Sequence, residues 1–394
     1  MKTADARDET PHTHESMIDV ARELAPLIRE HARSAELARQ PADEVVDAAV
    51  QKGLFRMMSP ACYGGAELDL DTYFEVGLIL GEADASHGWV LDFYIEHVWM
   101  LCQFPDPFQK ELFADRSFVL APAMLSPSGR ATIVPGGYRL DGRWQWATGI
   151  VHGAWVIAGA LVTVDDSIRP MFFALPRDQV TVEDTWHVDG MCGTGSHDVV
   201  ITDRFVPDEQ AVDIGHMMNA TAPGSELHDG PLYRTPMAPI LQFAAALPVL
   251  GQARFAAAEF ARQLVERYEF ATLGKQADRS SRQSRLAEAH LTTSAAEALL
   301  RSVLAEVMEQ RAAADTHTRV RWAAAIAHAV LMCQQAVGSL CEAAGAGSHF
   351  IDNPLQRARR DVNTMVCHTV FDAEERNRAL GRSLLGMPPE SRWH

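Results

Sequence analysis

The period of the hydrophobic pattern changes twice along this chain, and that change constrains its fold more than any single motif. From Phe118 to Val206 the texture is that of short strands. Phe118 to Met124, Thr132 to Leu140, Arg143 to Ala147, Trp155 to Val164, Pro170 to Leu175, Val180 to His187 and Val199 to Val206 are rich in β-branched and aromatic residues, and Gly, Pro and Asp punctuate them. Gly136-Gly137 and Asp141-Gly142 sit at hairpin spacing and predict turns. On both sides the pattern is helical. Strands enclosed by two helical blocks define an α+β chain.

The helical blocks read as follows. Met17 to Leu37 repeats apolar residues at helical spacing, and Pro41 opens a second helix closed by Gly53. Leu70 to Ala83 and Trp89 to Phe104 read as buried helices. Beyond the strands, Val212 to Leu232 reads as a long loop. Ala244 to Phe270, Ser284 to Ala314 and Val320 to Ala344 are long, rich in Ala and Leu, and wide in their apolar faces, which suits a bundle that also meets another subunit. Pro354 to Val370 and Glu374 to Leu385 complete the series. The expected division is a helical domain over 1–116, an antiparallel β-domain over 117–211 and a C-terminal four-helix bundle over 212–394.

Composition excludes some functions. A formal net charge of -17 argues against a nucleic-acid or anionic-membrane partner. No uninterrupted apolar run approaches the roughly 20 residues that span a bilayer, and the polar Met1 to Glu15 is unlike a secretory signal. Six cysteines without paired spacing predict neither a disulfide framework nor a zinc site; a reducing cytoplasm is the expected compartment. No metal is expected. No G-x-G-x-x-G opens a helix after a strand, so a Rossmann-type nicotinamide site is not expected. A P-loop, an H-E-x-x-H and a G-x-S-x-G elbow are likewise missing.

Several residues nevertheless pattern as a site. Trp146-Ala147-Thr148 ends a predicted strand with an indole and a hydroxyl, a partner set suited to a planar ring with polar edges. Gly193-Thr194-Gly195-Ser196 is a turn whose amides and hydroxyls could bind an anionic group; a plain strand-entry turn is the alternative. His97 lies on a predicted buried helix with Phe93, Tyr94 and Trp99, and His368 follows Arg360-Asp361. A lone histidine on an apolar helix is more often a satisfied core residue.

These motifs, with Tyr63-Gly64-Gly65-Ala66 and the helix–strand–helix order, resemble the acyl-CoA dehydrogenase superfamily over nearly the whole chain, and most nearly its two-component flavin-dependent monooxygenases. The resemblance implies flavin contacts from Met124, Ser126, Trp146 and Thr148, the hydroxyl of Thr148 lying near flavin N5. It implies that Gln356, on the helix after Gly345-Ala346-Gly347, and Arg282 or Arg285 reach a neighbouring subunit's flavin. It places His97 and His368 around the substrate as candidate catalytic residues, with Phe93, Tyr94, Trp99 and His152 lining the pocket. Acyl-CoA dehydrogenases commonly carry a catalytic Glu a few residues past an Arg-Asp pair in this region. Here Arg360-Asp361 leads to Cys367-His368-Thr369, which argues against acyl-CoA dehydrogenation and fits hydrogen bonding to a phenol or indole.

The implied activity is oxygenation. A separate flavin reductase would supply reduced FAD or FMN, O2 would give a C4a-hydroperoxyflavin, and a small aromatic substrate would be hydroxylated in a homotetramer. Two alternatives stay open: an acyl-CoA dehydrogenase or nitroalkane-oxidase-type FAD enzyme on the same fold, and a flavin-free helical scaffold.

Overall fold

The computed structural model describes residues 12–164, 167–268 and 274–391; the predicted helix end at Phe270 and the first residues of the polar N-terminus lie outside them. Five helices lead: α1 (His14–Ala38), α2 (Asp43–Gln51), α3 (Leu70–Ala83), α4 (Ala85–Leu101) and α5 (Asp106–Leu112). Their starts are written locally. Thr13 and Ser16 form a capping box on α1, and the carboxylates of Asp69 and Asp84 cap α3 and α4. α2 begins at Asp43, two residues past the predicted Pro41.

Seven strands follow: β1 (Ala123–Val134), β2 (Gly137–Ala147), β3 (Trp155–Val164), β4 (Ser167–Pro176), β5 (Thr181–Glu183), β6 (His197–Pro207) and β7 (Ala211–Asp213). They form one sheet in the order β5-β6-β2-β1-β3-β4-β7. Every pairing is antiparallel except β1 with β3, which is parallel, so the sheet is mixed. Gly136 forms the expected turn between β1 and β2 with φ +79°. Asp141-Gly142 does not turn. The strand runs through it with a register shift against β6, because Gly142 and Gly129 leave room for the buried Trp144 indole; a Cβ on Gly129 would lie 2.0 Å from that ring.

The predicted loop from Val212 holds two short helices, α6 (Ile214–Met218) and α7 (Pro223–Leu227). The bundle is α8 (Met237–Glu266), α9 (Ser280–Gln310), α10 (Thr316–Ala344) and α11 (Pro354–Met365), with α12 (Ala373–Leu384) against α10. Contrary to the sequence expectation, α8 and α10 are each long and apolar enough to cross a membrane by length and composition. Here α8 is a core helix: residues 237–253 are buried on every face, and the helix packs against α3, α4, α9, α10 and α11.

One hydrophobic core joins α1–α5 to the bundle, and a second fills the sheet around Trp144, Leu140, Phe173 and Ile201. The crossing of α3, α4 and α8 is made by glycines. A Cβ on Gly88 would lie 2.6 Å from Gly81 Cα, one on Gly81 2.5 Å from Pro248 Cα, and one on Gly251 2.4 Å from Glu82 N. Backbones therefore touch where side chains would normally space them, and α4 is held in place under the sheet.

Candidate active site

All seventeen residues of α4 are buried. Its turn spacing puts Trp89, Phe93 and His97 on one face. The Trp89 and Phe93 rings meet edge to face with centroids 4.8 Å apart, and Phe93 stacks on His97 at 5.4 Å. His368, just past α11, closes the cluster at 5.5 Å from Trp89 and 6.1 Å from Phe93. Two histidines separated by most of the chain thus flank one phenylalanine.

The backbone fixes each imidazole. His97 Nδ1 lies 2.7 Å from the Ala121 carbonyl, which can only accept, so the proton sits on Nδ1 and Nε2 presents a lone pair. At His368 the polarity is reversed: the Val370 N–H donates to Nδ1 at 3.4 Å, leaving the proton on Nε2. Burial pushes His97 down to about 3, partly offset by the Ala121 bond, and His368 down to about 4. Both rings are neutral at physiological pH. Glu96, the residue before it on α4, is fully buried, with its carboxyl pushed well up by desolvation, and its Oε2 lies 3.3 Å from His97 Nε2.

The second half of the site is a polar turn at the end of β2. Trp146 has φ +65°, a conformation that costs a non-glycine residue of the order of 1–3 kcal/mol. Its indole is 62% exposed instead of buried in the sheet. The Thr148 N–H donates to Trp146 O at 2.9 Å, and the Gly149 N–H donates to Thr194 O at 2.9 Å. Gly149, at φ +73°, lets the turn press onto α4, where a Cβ would lie 2.5 Å from the Tyr94 hydroxyl. That hydroxyl donates to the Gly149 carbonyl. The turn at 191–196 meets it from the other side. Thr148 Oγ1 lies 3.0 Å from Ser196 Oγ, Ser196 Oγ lies 2.8 Å from Thr194 Oγ1, and Thr194 Oγ1 donates to Met191 O at 2.9 Å. Asp361 of α11 anchors this turn by accepting from Met191 N at 2.6 Å.

The structure therefore brings together Phe93, His97 and His368 as one wall and sets Trp146 and Thr148 in the turn above α4. Trp89 completes the first wall; its spacing of four from Phe93 and eight from His97 carries the signal that finds it. Other sequence candidates lie elsewhere. Trp99 falls on a different face of α4 and donates to Leu232 O at 3.3 Å, so it is a core residue and not a pocket wall. Tyr94 is wholly buried and ties the turn to α4 instead of lining a pocket. His152 bonds Asp43 of α2 through Nε2 at 2.7 Å and holds the connection after β2 against the helices. Met124 sits in the core of the sheet, so it can offer a ligand only main chain, whereas Ser126 is exposed on the irregular part of β1. Arg282 bonds Gln276 at the start of α9, and Gln356 bonds Ile351 O at 2.8 Å and Arg360 Nε at 2.8 Å on α11. Neither touches the cluster within one chain. The grooves of about 620 Å³ between α8 and α9 and about 460 Å³ around Cys62 and Lys110 are also lined by other residues. Among the described residues no three His, Cys, Asp or Glu side chains converge to hold a metal.

The same architecture is found in known proteins. Residues 12–116 match the acyl-CoA dehydrogenase N-terminal domain, and residues 243–373 match the acyl-CoA dehydrogenase C-terminal domain. The chain is 30% identical over 378 residues to a pigment production hydroxylase of a Rhodococcus species, covering 95% of this chain and 98% of that one. It is 29% identical over 385 residues to the oxygenase component of an FADH2-dependent resorcinol hydroxylase of a Rhizobium species, covering 94% of each. The solved structure of XiaF from a Streptomyces species, in complex with FADH2 and glycerol, superposes with a TM-score of 0.88 at 28% identity, over 96% of this chain and 97% of that one. The chain belongs to the acyl-CoA dehydrogenase family. Within it, the chain stands on the branch of flavin-dependent monooxygenases, with the oxygenase components of two-component systems.

Proposed function

We propose that this protein is the oxygenase of a two-component system. It would take reduced FAD or FMN from a separate flavin reductase and use O2 to hydroxylate a small aromatic substrate: a phenol, an indole or a fused polycycle. The observation that carries this reading is His368. Where proton abstraction from an acyl-CoA would need an ionised carboxylate, a neutral imidazole stands against Phe93 and Trp89. The resorcinol hydroxylase and the FADH2 complex of XiaF support both the substrate class and the reduced cofactor.

The residues fit a flavin. An indole held exposed on a strained backbone offers a flat apolar surface, and Thr148 beside it offers one hydroxyl. When bound, the reduced flavin supplies the electrons that activate O2. The chain supplies the rest. Thr148 would hold the N5 proton, and Trp146 would cover the ring system. Phe93 and Trp89 would pack against the substrate and keep water out. His97 Nε2 would accept the substrate's hydroxyl or indole hydrogen. Burial disfavours the protonated ring, so it would enrich the aromatic ring by accepting a hydrogen bond. His368 Nε2–H would donate to the substrate from the same wall. Arg282 and Gln356 would serve a neighbouring subunit's flavin in a homotetramer. The exposed Phe350 and Ile351, at 73% and 64%, support such an interface beside α11. The six free thiols suit a cytoplasmic setting.

The deciding experiment mixes protein and anaerobically reduced flavin with isotope-labelled O2 and a panel of phenols and indoles. One labelled oxygen atom in the product is expected. Bleaching of a tightly bound oxidised FAD by acyl-CoA, with no labelled product, would end this reading.

A further inference from the structure

We propose that the buried hydroxyls of Thr194 and Ser196 orient the Thr148 hydroxyl so that it can only accept a hydrogen bond, and that this polarity makes the site prefer reduced over oxidised flavin. The inference rests on the reading above that Thr148 adjoins flavin N5.

Counting protons along the row fixes its direction. Each hydroxyl has one hydrogen to give. Thr194 Oγ1 lies 2.9 Å from the Met191 carbonyl, which has none, so Thr194 donates there. Turning that hydrogen toward Ser196 would leave two acceptor oxygens facing each other at hydrogen-bond distance. Ser196 must then donate to Thr194 at 2.8 Å. With its hydrogen spent, Ser196 can only accept from Thr148, at 3.0 Å. Thr194 and Ser196 are 1% and 3% exposed, so bulk solvent does not compete for these hydrogens. Thr148 is the open end of the row, and what it shows to a ligand is lone pairs. The backbone agrees with this: the N–H groups of residues 148 and 149 are both consumed, by Trp146 O and Thr194 O. The rigid end of the row is itself tethered, since Met191 O also accepts from Trp186 Nε1 at 3.0 Å and Met191 N donates to Asp361.

The two redox states of a flavin differ at N5 in the matching way. Reduced flavin carries a hydrogen there and can donate, whereas oxidised flavin presents a lone pair. An acceptor-only Thr148 is complementary to the first and repels the second, which is discrimination by an unpaired polar group. A freely rotating hydroxyl would serve either state.

The test measures dissociation constants of reduced and oxidised FMN and FAD under anaerobic conditions for the full-length protein and four variants. The wild type is expected to prefer the reduced form. Ser196→Ala and Thr194→Val release the row, so Thr148 can turn its hydrogen outward. The reduced-over-oxidised ratio should fall about tenfold, mostly through tighter binding of the oxidised form. Thr194→Val is the more telling variant: it is nearly isosteric and two hydroxyls away from the ligand. Thr194→Ser keeps the row and should keep the wild-type ratio. Thr148→Ala should weaken binding of the reduced form and, by removing the repelling lone pairs, tighten the oxidised form less than Ser196→Ala does, since it adds no donor. A wild-type ratio in folded Thr194→Val and Ser196→Ala, with an altered ratio in Thr148→Ala, would overturn the inference and leave the functional reading standing. Failure of the wild type to bind either flavin would overturn both.

Discussion

The two halves of the site are built in opposite ways. The wall of Trp89, Phe93 and His97 hangs from regular helix, His368 closes it from the segment just past α11, and apolar rings hold both imidazoles neutral. The turn that carries Trp146 and Thr148 is irregular backbone with two positive-φ residues and a row of hydroxyls. The first half draws its geometry from packing, so damage to it should be felt as lost stability. The second draws its geometry from hydrogen-bond direction, so damage to it should be felt as lost discrimination with little unfolding.

The most damaging change should be Phe93→Ala. It removes the ring that touches Trp89, His97 and His368 and opens a cavity in a nearly sealed cluster. A loss of about 3–5 kcal/mol in urea unfolding is expected, and a loss under 1 kcal/mol would show that the wall is not load-sharing packing. Next comes pH. His97 and His368 stay neutral in the fold but take up protons below about 6.5 when unfolded. The stability they confer is complete above that pH and is lost as pH falls toward 4, by up to about 1.4 kcal/mol per pH unit for each ring. The polar turn has the opposite sign. Burial and the nearby Asp84 push Asp361 up to about 7, so its contribution is present at low pH and is lost as pH rises from about 4 to 7. Unfolding curves across pH should therefore flatten on the acid side in His97→Gln and on the neutral side in Asp361→Asn. The same flattening in both variants would erase the contrast.

Smaller effects probe the join between the halves. Tyr94→Phe deletes the hydroxyl that ties α4 to Gly149, and a loss of about 1–2 kcal/mol is expected by denaturant titration. Trp146→Gly should go the other way. Little burial is lost at an indole this exposed, and glycine accepts φ +65° freely. Stability should rise by about 1 kcal/mol while affinity for reduced flavin falls by at least about tenfold. A destabilised Trp146→Gly would mean that the indole is held by packing and not against strain.

The same contrast explains what could be read from the sequence. Helical repeats gave away α1, α3, α4 and the bundle, and with α4 came His97 and Phe93, because a helix places side chains by arithmetic. Four-residue steps from Phe93 lead to Trp89 and exclude Tyr94 and Trp99. Strand runs marked the sheet, yet Asp141-Gly142 posed as a turn, since glycines that make room for Trp144 look the same in sequence as glycines that reverse a chain. Trp146, Thr148 and the 193–196 turn were legible by resemblance. Their mutual hydrogen bonds were not, because those depend on a contact between β2 and a turn some fifty residues downstream. The parallel pairing of β1 with β3 was hidden for a similar reason: short runs announce strands without announcing their neighbours.

The glycine crossing of α3, α4 and α8 sets a boundary on how such a protein can diversify. With main chains in direct contact at Gly81, Gly88 and Gly251, the central rod is clamped and has no room to slide or tilt. New substrates would then have to be accommodated by exchanging individual side chains along one edge of that rod, at 89, 93 and 97, while the clamp itself stays unchanged.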